Sequence, residues 1–186
     1  MGLIENTPVP ISQYEDEFSI LLDEYKRQKP KTILEIGTHH GGTLYHWITE
    51  APDGATILSI DNQHINCDLY SVWANKRVYV DYYKGDSTSY SAIDYAIRNY
   101  CPYDWIFIDG DHSYKGVKHD WEASKAMISS KGIIAFHDIL PHPPWNEQPV
   151  EVEKLWSEIK KEYKTKEIIG KHIWPDMSGI GVVYFD

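Results

Sequence analysis

Thr32-Ile33-Leu34-Glu35-Ile36-Gly37-Thr38-His39-His40-Gly41-Gly42-Thr43 joins a β-rich apolar run to a glycine-bearing turn and then to a helical pattern. Glycines let backbone approach a ligand closely, and the helix that follows offers free N–H groups to a carboxylate or phosphate. The spacing is E-x-G-x-x-x-G-G. A dinucleotide fingerprint needs G-x-G-x-x-G and a P-loop needs G-K-[ST]; neither is present. The same residues also fit a tight strand-to-helix turn that holds no ligand.

Outward from this stretch the chain alternates. Upstream, Tyr14, Phe18, Leu21, Leu22 and Tyr25 form one stripe of an amphipathic helix that Lys29-Pro30 ends. Downstream, strands are expected at Thr56 to Asp61, Val78 to Lys84, Asp104 to Asp109, Gly132 to His137, Lys166 to Ile169 and Ile180 to Phe185. Helices are expected at Gly42 to Glu50, Cys67 to Asn75, Thr88 to Asn99 and Tyr114 to Ile128. A further stripe, Val152, Leu155, Trp156, Ile159 and Tyr163, lies in a helix from Glu151 to Lys164 with a solvated Glu/Lys face. Such alternation implies an α/β doubly wound sheet. The expected organisation is a single domain over 1–186, with a helical extension over 1–30 and a Rossmann-like core over 31–186.

Length and charge narrow the classes. At 186 residues the chain can bury a full core without disulfide or metal staples. Eighteen basic against 28 acidic residues give a net charge of −10, which argues against a nucleic-acid partner or an anionic membrane. Cys67 and Cys101 have no metal-ligand spacing and read as thiols in a reducing compartment. Met1 to Tyr14 lacks a basic stretch followed by an apolar run, and nothing is long enough to span a membrane, so a cytoplasmic protein is expected. The 7 Trp, 14 Tyr, 4 Phe and nine His are many for this length.

In doubly wound sheets ligands bind outside the carboxyl ends of the strands. Polar residues line up at those ends here: Gly37, Asp61, Gly85-Asp86-Ser87, Asp109-Gly110-Asp111-His112 and His137-Asp138. Asp61 is placed to accept both hydroxyls of a ribose, with Asn62 beside it. Gly85, Asp86 and Ser87 are placed to meet an adenine, although Ser87 also fits a helix N-cap.

L-E-I-G-T-H-H-G-G-T, the acid at Asp61, K-G-D-S, and I-F-I-D-G-D-H-S-Y followed by G-I-I-A-F-H-D resemble class I S-adenosylmethionine (SAM)-dependent methyltransferases. The branch is similar to O-methyltransferases of the catechol/caffeoyl-CoA type and to the cephalosporin-hydroxylase and macrocin O-methyltransferase group. The likeness runs from Thr32 to Asp138, and G-I-G-V-V-Y-F is similar to that fold's closing antiparallel strand, giving seven strands in a mostly parallel sheet. The resemblance implies that Glu35, Gly37, Thr38, Gly41, Gly42 and Thr43 hold the methionine end, with Asp61 and Asn62 at the ribose. It places Gly85, Asp86 and Ser87 at the adenine, and makes Asp109 part of both the cofactor site and a metal site. In the metal-dependent members a divalent cation is bound. Asp109 takes the place of the first metal-binding acid, and His137 and Asp138 take the place of an acidic or Asp-Asn pair. The imidazole is a departure. Carboxylates and waters suit Mg²⁺, whereas an added His also admits Mn²⁺, Fe²⁺ or Zn²⁺.

The resemblance implies transfer of a methyl group to a hydroxyl of a small-molecule acceptor. Such chemistry needs an aligned acceptor oxygen and a base to remove its proton. His112, three residues beyond Asp109, is the candidate base, working with Asp109 as the second catalytic residue; capping of the next helix is its alternative role. Pro141-His142-Pro143-Pro144-Trp145 is placed to form a substrate lid or a rigid crossover. His39 and His40 are expected to face solvent, and His46, His64, His119 and His172 to be at the surface or half-buried. Cys67 is expected to face the core. With no cap domain in view, loops or a partner subunit must complete the acceptor site, and a homodimer would supply the latter. Two other readings stand: an NAD(P)-dependent oxidoreductase, which the absent G-x-G-x-x-G disfavours, and a nucleoside-binding module without turnover.

Overall fold

The computed structural model describes residues 2–145, 147–171 and 178–185, so His172 lies outside the described residues. Helix α1 (Glu15–Gln28) opens with Glu15, Asp16 and Glu17 and closes with Lys26 and Arg27, matching charge to the helix dipole. Lys29, in the left-handed region, and Pro30 stop it. Then follow β1 (Thr32–Ile36), α2 (Gly42–Glu50), β2 (Thr56–Asp61), a 3₁₀ turn at Cys67–Leu69, and α3 (Tyr70–Ala74). The remainder is β3 (Tyr79–Lys84), α4 (Tyr90–Tyr100), β4 (Tyr103–Ile108), α5 (Tyr114–Met127), β5 (Ile128–His137), α6 (Val152–Ile159), β6 (Lys164–Ile168) and β7 (Ile180–Tyr184).

The seven strands form one sheet in the order β3-β2-β1-β4-β5-β7-β6. All neighbouring pairs are parallel except those made by β7, which runs antiparallel to β5 and β6. The order reverses between β1 and β4, where Ile36 pairs with Ile108. There the helices that follow, α2 and α5, pack on opposite faces of the sheet and leave a crevice.

Strand alternation sorts the core into two layers. Ile33, Ile57, Trp105, Phe107 and Ala135 pack under α1, α2 and α3 with Phe18, Leu44 and Trp47. Leu34, Leu58, Ile60, Ile106, Ile108 and Phe136 pack under α4, α5 and α6 with Ala96, Trp121 and Trp156. Much of the aromatic surplus is core: Trp47, Trp105 and Trp156 are fully buried.

Several boundaries differ from the sequence reading, among them the following. Ser89, not Ser87, caps α4, its hydroxyl accepting from Ala92 N at 3.2 Å. Helix α6 ends at Ile159; Tyr163 keeps the stripe's spacing from a turn, its ring 5.2 Å from Trp121, because β6 begins directly after it. Strand β5 starts at Ile128 rather than Gly132, since Ile128 already pairs with Tyr103, ahead of a register shift that brings Ile133 opposite Trp105. No described helix is long and apolar enough to cross a membrane.

Candidate active site at the β1–β4 crevice

The carboxyl ends of β1, β2, β4 and β5 open into a cavity of about 1200 Å³. A smaller one, about 460 Å³, lies at the opposite end of the sheet among Glu24, Arg27, Lys131 and Tyr184. The larger is walled by Gly37, Thr38, Gly42, Thr43, Asp61, Asn62, Gly85, Asp86, Ser87, Asp109, His112, His137 and Asp138. Glu35 and Gly41 do not reach its wall. Glu35 is fully buried beneath the turn, where its Oε1 accepts from Trp47 Nε1 at 3.1 Å. Burial, with the negative charges of Asp109 and Asp61 adding, pushes its pKa up to about 8. Its part is to anchor the turn from below.

Gly37 is forced by position. Its φ is +88°, and a Cβ there would stand 1.9 Å from the Asp109 carbonyl oxygen. Only glycine lets the ends of β1 and β4 come so close. Gly41, at φ +85°, starts α2 in the same way.

Asp61 closes the turn from β2. Its Oδ2 accepts from the backbone N–H groups of Thr38 (2.7 Å) and His39 (2.8 Å), and Oδ1 accepts from that of Gln63 (2.7 Å). Burial opposes its charge, but these donors outweigh burial and hold its pKa low. The carboxylate therefore stays ionised and oriented at the cavity wall. Asp86 is exposed, its Oδ1 accepting from Thr88 N and Oγ1, both at 2.8 Å.

Sequence reasoning missed two residues. His64 is buried rather than at the surface or half-buried. Its Nε2 lies 2.9 Å from the Tyr83 carbonyl and 3.1 Å from Asp61 N, and its Nδ1 lies 3.3 Å from the Tyr70 hydroxyl. Burial lowers its pKa, so a neutral ring braces the β2–β3 end. Its position three residues after Asp61 was the available signal. Gln13 gave no signal at all: it precedes α1, yet its side chain reaches Asp109. His46 is also buried, 2.7 Å from the Thr7 hydroxyl, whereas His119 and His39 are exposed and His40 is half-buried. Cys67 is half-buried against the α1–α3 side of the core.

The chemistry-bearing groups converge at the ends of β4 and β5. His112 Nε2 is 3.2 Å from Asp109 Oδ1 and 3.5 Å from Asp138 Oδ2. His137 Nδ1 is 3.4 Å from each of the same two oxygens. Asp138 adopts φ +60°, a left-handed conformation that turns the chain after β5. Burial works against charge throughout the cluster, but mutual attraction wins: the Asp109 and Asp138 pKa values fall, and those of His112 and His137 rise. The two imidazole rings thus face the two carboxylates, each favouring the other's charged form. Asp109, His137 and Asp138 each offer a ligand atom, all within 4.8 Å of one another. Oxygen and imidazole donors at that spacing fit a divalent cation, which would take the place of the protons. Trp145 is 56 % exposed, its ring 6.3 Å from that of His112, so it stands at the mouth rather than packed on the body.

Solved structures similar to this one include methyltransferases. The O-methyltransferase from Bacillus cereus, in complex with SAH (S-adenosylhomocysteine), is 18 % identical with a TM-score of 0.67, over 97 % of this chain and 85 % of its own. TomG, an O-methyltransferase of tomaymycin synthesis from Streptomyces achromogenes in complex with SAM, is 11 % identical with a TM-score of 0.70, over 94 % and 82 %. The MycE methyltransferase of mycinamycin biosynthesis, with Mg and SAH, is 19 % identical with a TM-score of 0.60, over 91 % of this chain and 48 % of its own. No curated protein sequence matches the chain. The model of the methyltransferase domain matches residues 34–139, from β1 to the end of β5, and on that match the chain belongs to the methyltransferase-domain family.

Proposed function

We propose that this methyltransferase is a SAM-dependent O-methyltransferase of a small hydroxylated acceptor, assisted by a divalent cation. One observation carries the reading: His112 meets Asp109 and Asp138 on the same cavity wall as the Gly37–Thr43 turn and Asp61. The SAM- and SAH-bound relatives support the cofactor, and the magnesium of MycE supports the cation. The tomaymycin and mycinamycin pathways of two relatives support a small-molecule acceptor.

The sulfonium of SAM already makes its methyl electrophilic, so the protein's work is alignment and proton removal. The turn from Gly37 to Thr43 receives the methionine end, Asp61 and Asn62 the ribose, and Gly85, Asp86 and Ser87 the adenine. Asp109, His137 and Asp138 would hold Mg²⁺ or, given the imidazole, Mn²⁺, which when bound lowers the pKa of a coordinated hydroxyl. His112 takes the acceptor's proton at Nδ1, because Nε2 donates its hydrogen to the Asp109 and Asp138 carboxylates. Its contacts with Asp109 and Asp138 raise its proton affinity, which suits that task once the ring is neutral. Trp145 offers a flat surface at the mouth for the acceptor, and a second copy of the chain is a candidate for the remaining wall. The charge of −10 disfavours a nucleic-acid acceptor.

The test is methyl transfer from SAM to a panel of phenolic, sugar and macrolide hydroxyls, with and without EDTA. Methyl ethers are expected, with transfer abolished by EDTA and restored by Mg²⁺ or Mn²⁺. Transfer indifferent to EDTA would remove the cation from the account. His112→Ala should lower turnover by roughly 10²–10⁴-fold while SAH affinity changes little. Equal loss of both would reduce His112 to a structural role.

A further inference from the structure

Gln13 is 5 % exposed, and its amide lies between two residues of the cavity wall. Its Oε1 accepts from Thr43 Oγ1 at 2.5 Å, and its Nε2 donates to Asp109 Oδ2 at 2.7 Å. A carboxylate accepts only, so the amide has one orientation here and cannot flip. The segment that carries it is held down as well. A Cβ on Gly42 would come within 2.4 Å of the Pro10 carbonyl oxygen and 2.6 Å of Ile11 Cβ, so Pro10 and Ile11 lie directly on the first turn of α2. Pro10, Ile11, Ser12, Gln13 and Tyr14 all line the cavity.

The two oxygens of Asp109 therefore have separate duties. Gln13 takes Oδ2, and Oδ1 is left to face His112 and His137. We propose that Gln13 is a positioning residue for the amino-acid end of SAM: it ties Asp109 to the first turn of α2 and holds the 10–14 segment as the third wall of that subsite. This rests on the SAM-binding reading above. Asp109 offers charge to an α-ammonium, and the N-terminus of α2 offers N–H groups to a carboxylate. These two features lie on different elements, β4 and α2. The amide is the hydrogen-bonded bridge between them, and without it Asp109 keeps its Oδ1 contacts with His112 and His137 but loses its tie to α2.

The experiment is calorimetry of SAH and of 5′-methylthioadenosine, which shares the nucleoside but lacks the amino-acid end. Gln13→Met keeps side-chain length and removes both hydrogen bonds; Gln13→Glu keeps the acceptor for Thr43 but sets a like charge against Asp109. Both variants are expected to bind SAH about tenfold or more weakly and methylthioadenosine as the unaltered protein does. If one variant fails to show a cooperative melt, the other is read. Unchanged SAH affinity, or equal weakening for both ligands, overturns the positioning role. If the unaltered protein binds methylthioadenosine but not SAH, the amino-acid subsite is wrong. If it binds neither, the SAM reading itself falls and the role of Gln13 with it.

Discussion

Glu35 shows how a single residue can serve the site without touching a ligand. It lies near the end of a buried strand, and its Oε2 has no hydrogen-bond partner among the described residues. Burial raises its pKa from 4.5 to about 8, so folding takes up a proton at neutral pH. The folded pKa lies above the unfolded one, so the unfolded state holds fewer protons between pH 4.5 and 8, and this group's contribution falls as pH rises through that window. Glu35→Gln removes the titration while keeping an acceptor for Trp47 Nε1. Urea unfolding of both proteins should show the variant gaining on the native protein by roughly a few kcal/mol across that window. A difference that does not change with pH would mean that Glu35 is ionised at little cost. At the same scale Asp61 is the opposite case, a carboxylate kept charged because three backbone donors outweigh its burial.

At the scale of elements, the turn after β1 decides whether the crevice exists. Gly37 is required twice, for its positive φ and for the approach of β4 at Asp109. Gly37→Ala should cost roughly 3 kcal/mol or more in chemical denaturation, because the obstructing atoms are backbone and cannot swing aside. A loss under about 1 kcal/mol would show that β1 and β4 separate freely. This element was legible in the sequence because glycine spacing reports backbone geometry directly. The strands were legible because burial on both faces produces continuous apolar runs such as Trp105-Ile106-Phe107-Ile108. What escaped were contacts distant in sequence: Gln13 to Asp109 spans 96 residues, and no local pattern encodes it. Tyr163 misled for the converse reason, holding helical spacing outside the helix because its partners Trp121 and Phe185 lie where the stripe points.

For the whole molecule, the sheet order gathers groups from β1, β2, β4 and β5 at one reversal point, so a ligand at the crevice meets all of them. Several of the 28 acids stand at these strand ends, and two of the nine His balance Asp109 and Asp138 there. Two-sided packing by α1–α3 and α4–α6 keeps the strand ends fixed. The N-terminal segment then closes the crevice over the first turn of α2. The roles of these residues all depend on that crevice being a SAM site. Calorimetric titration with SAH tests it most directly. The protein should bind SAH at one site per chain with a dissociation constant in the micromolar range, and Asp61→Ala should weaken binding by about 100-fold through loss of a charged acceptor. No binding heat at millimolar SAH, or an Asp61→Ala variant that folds and binds as tightly as the native chain, would contradict it.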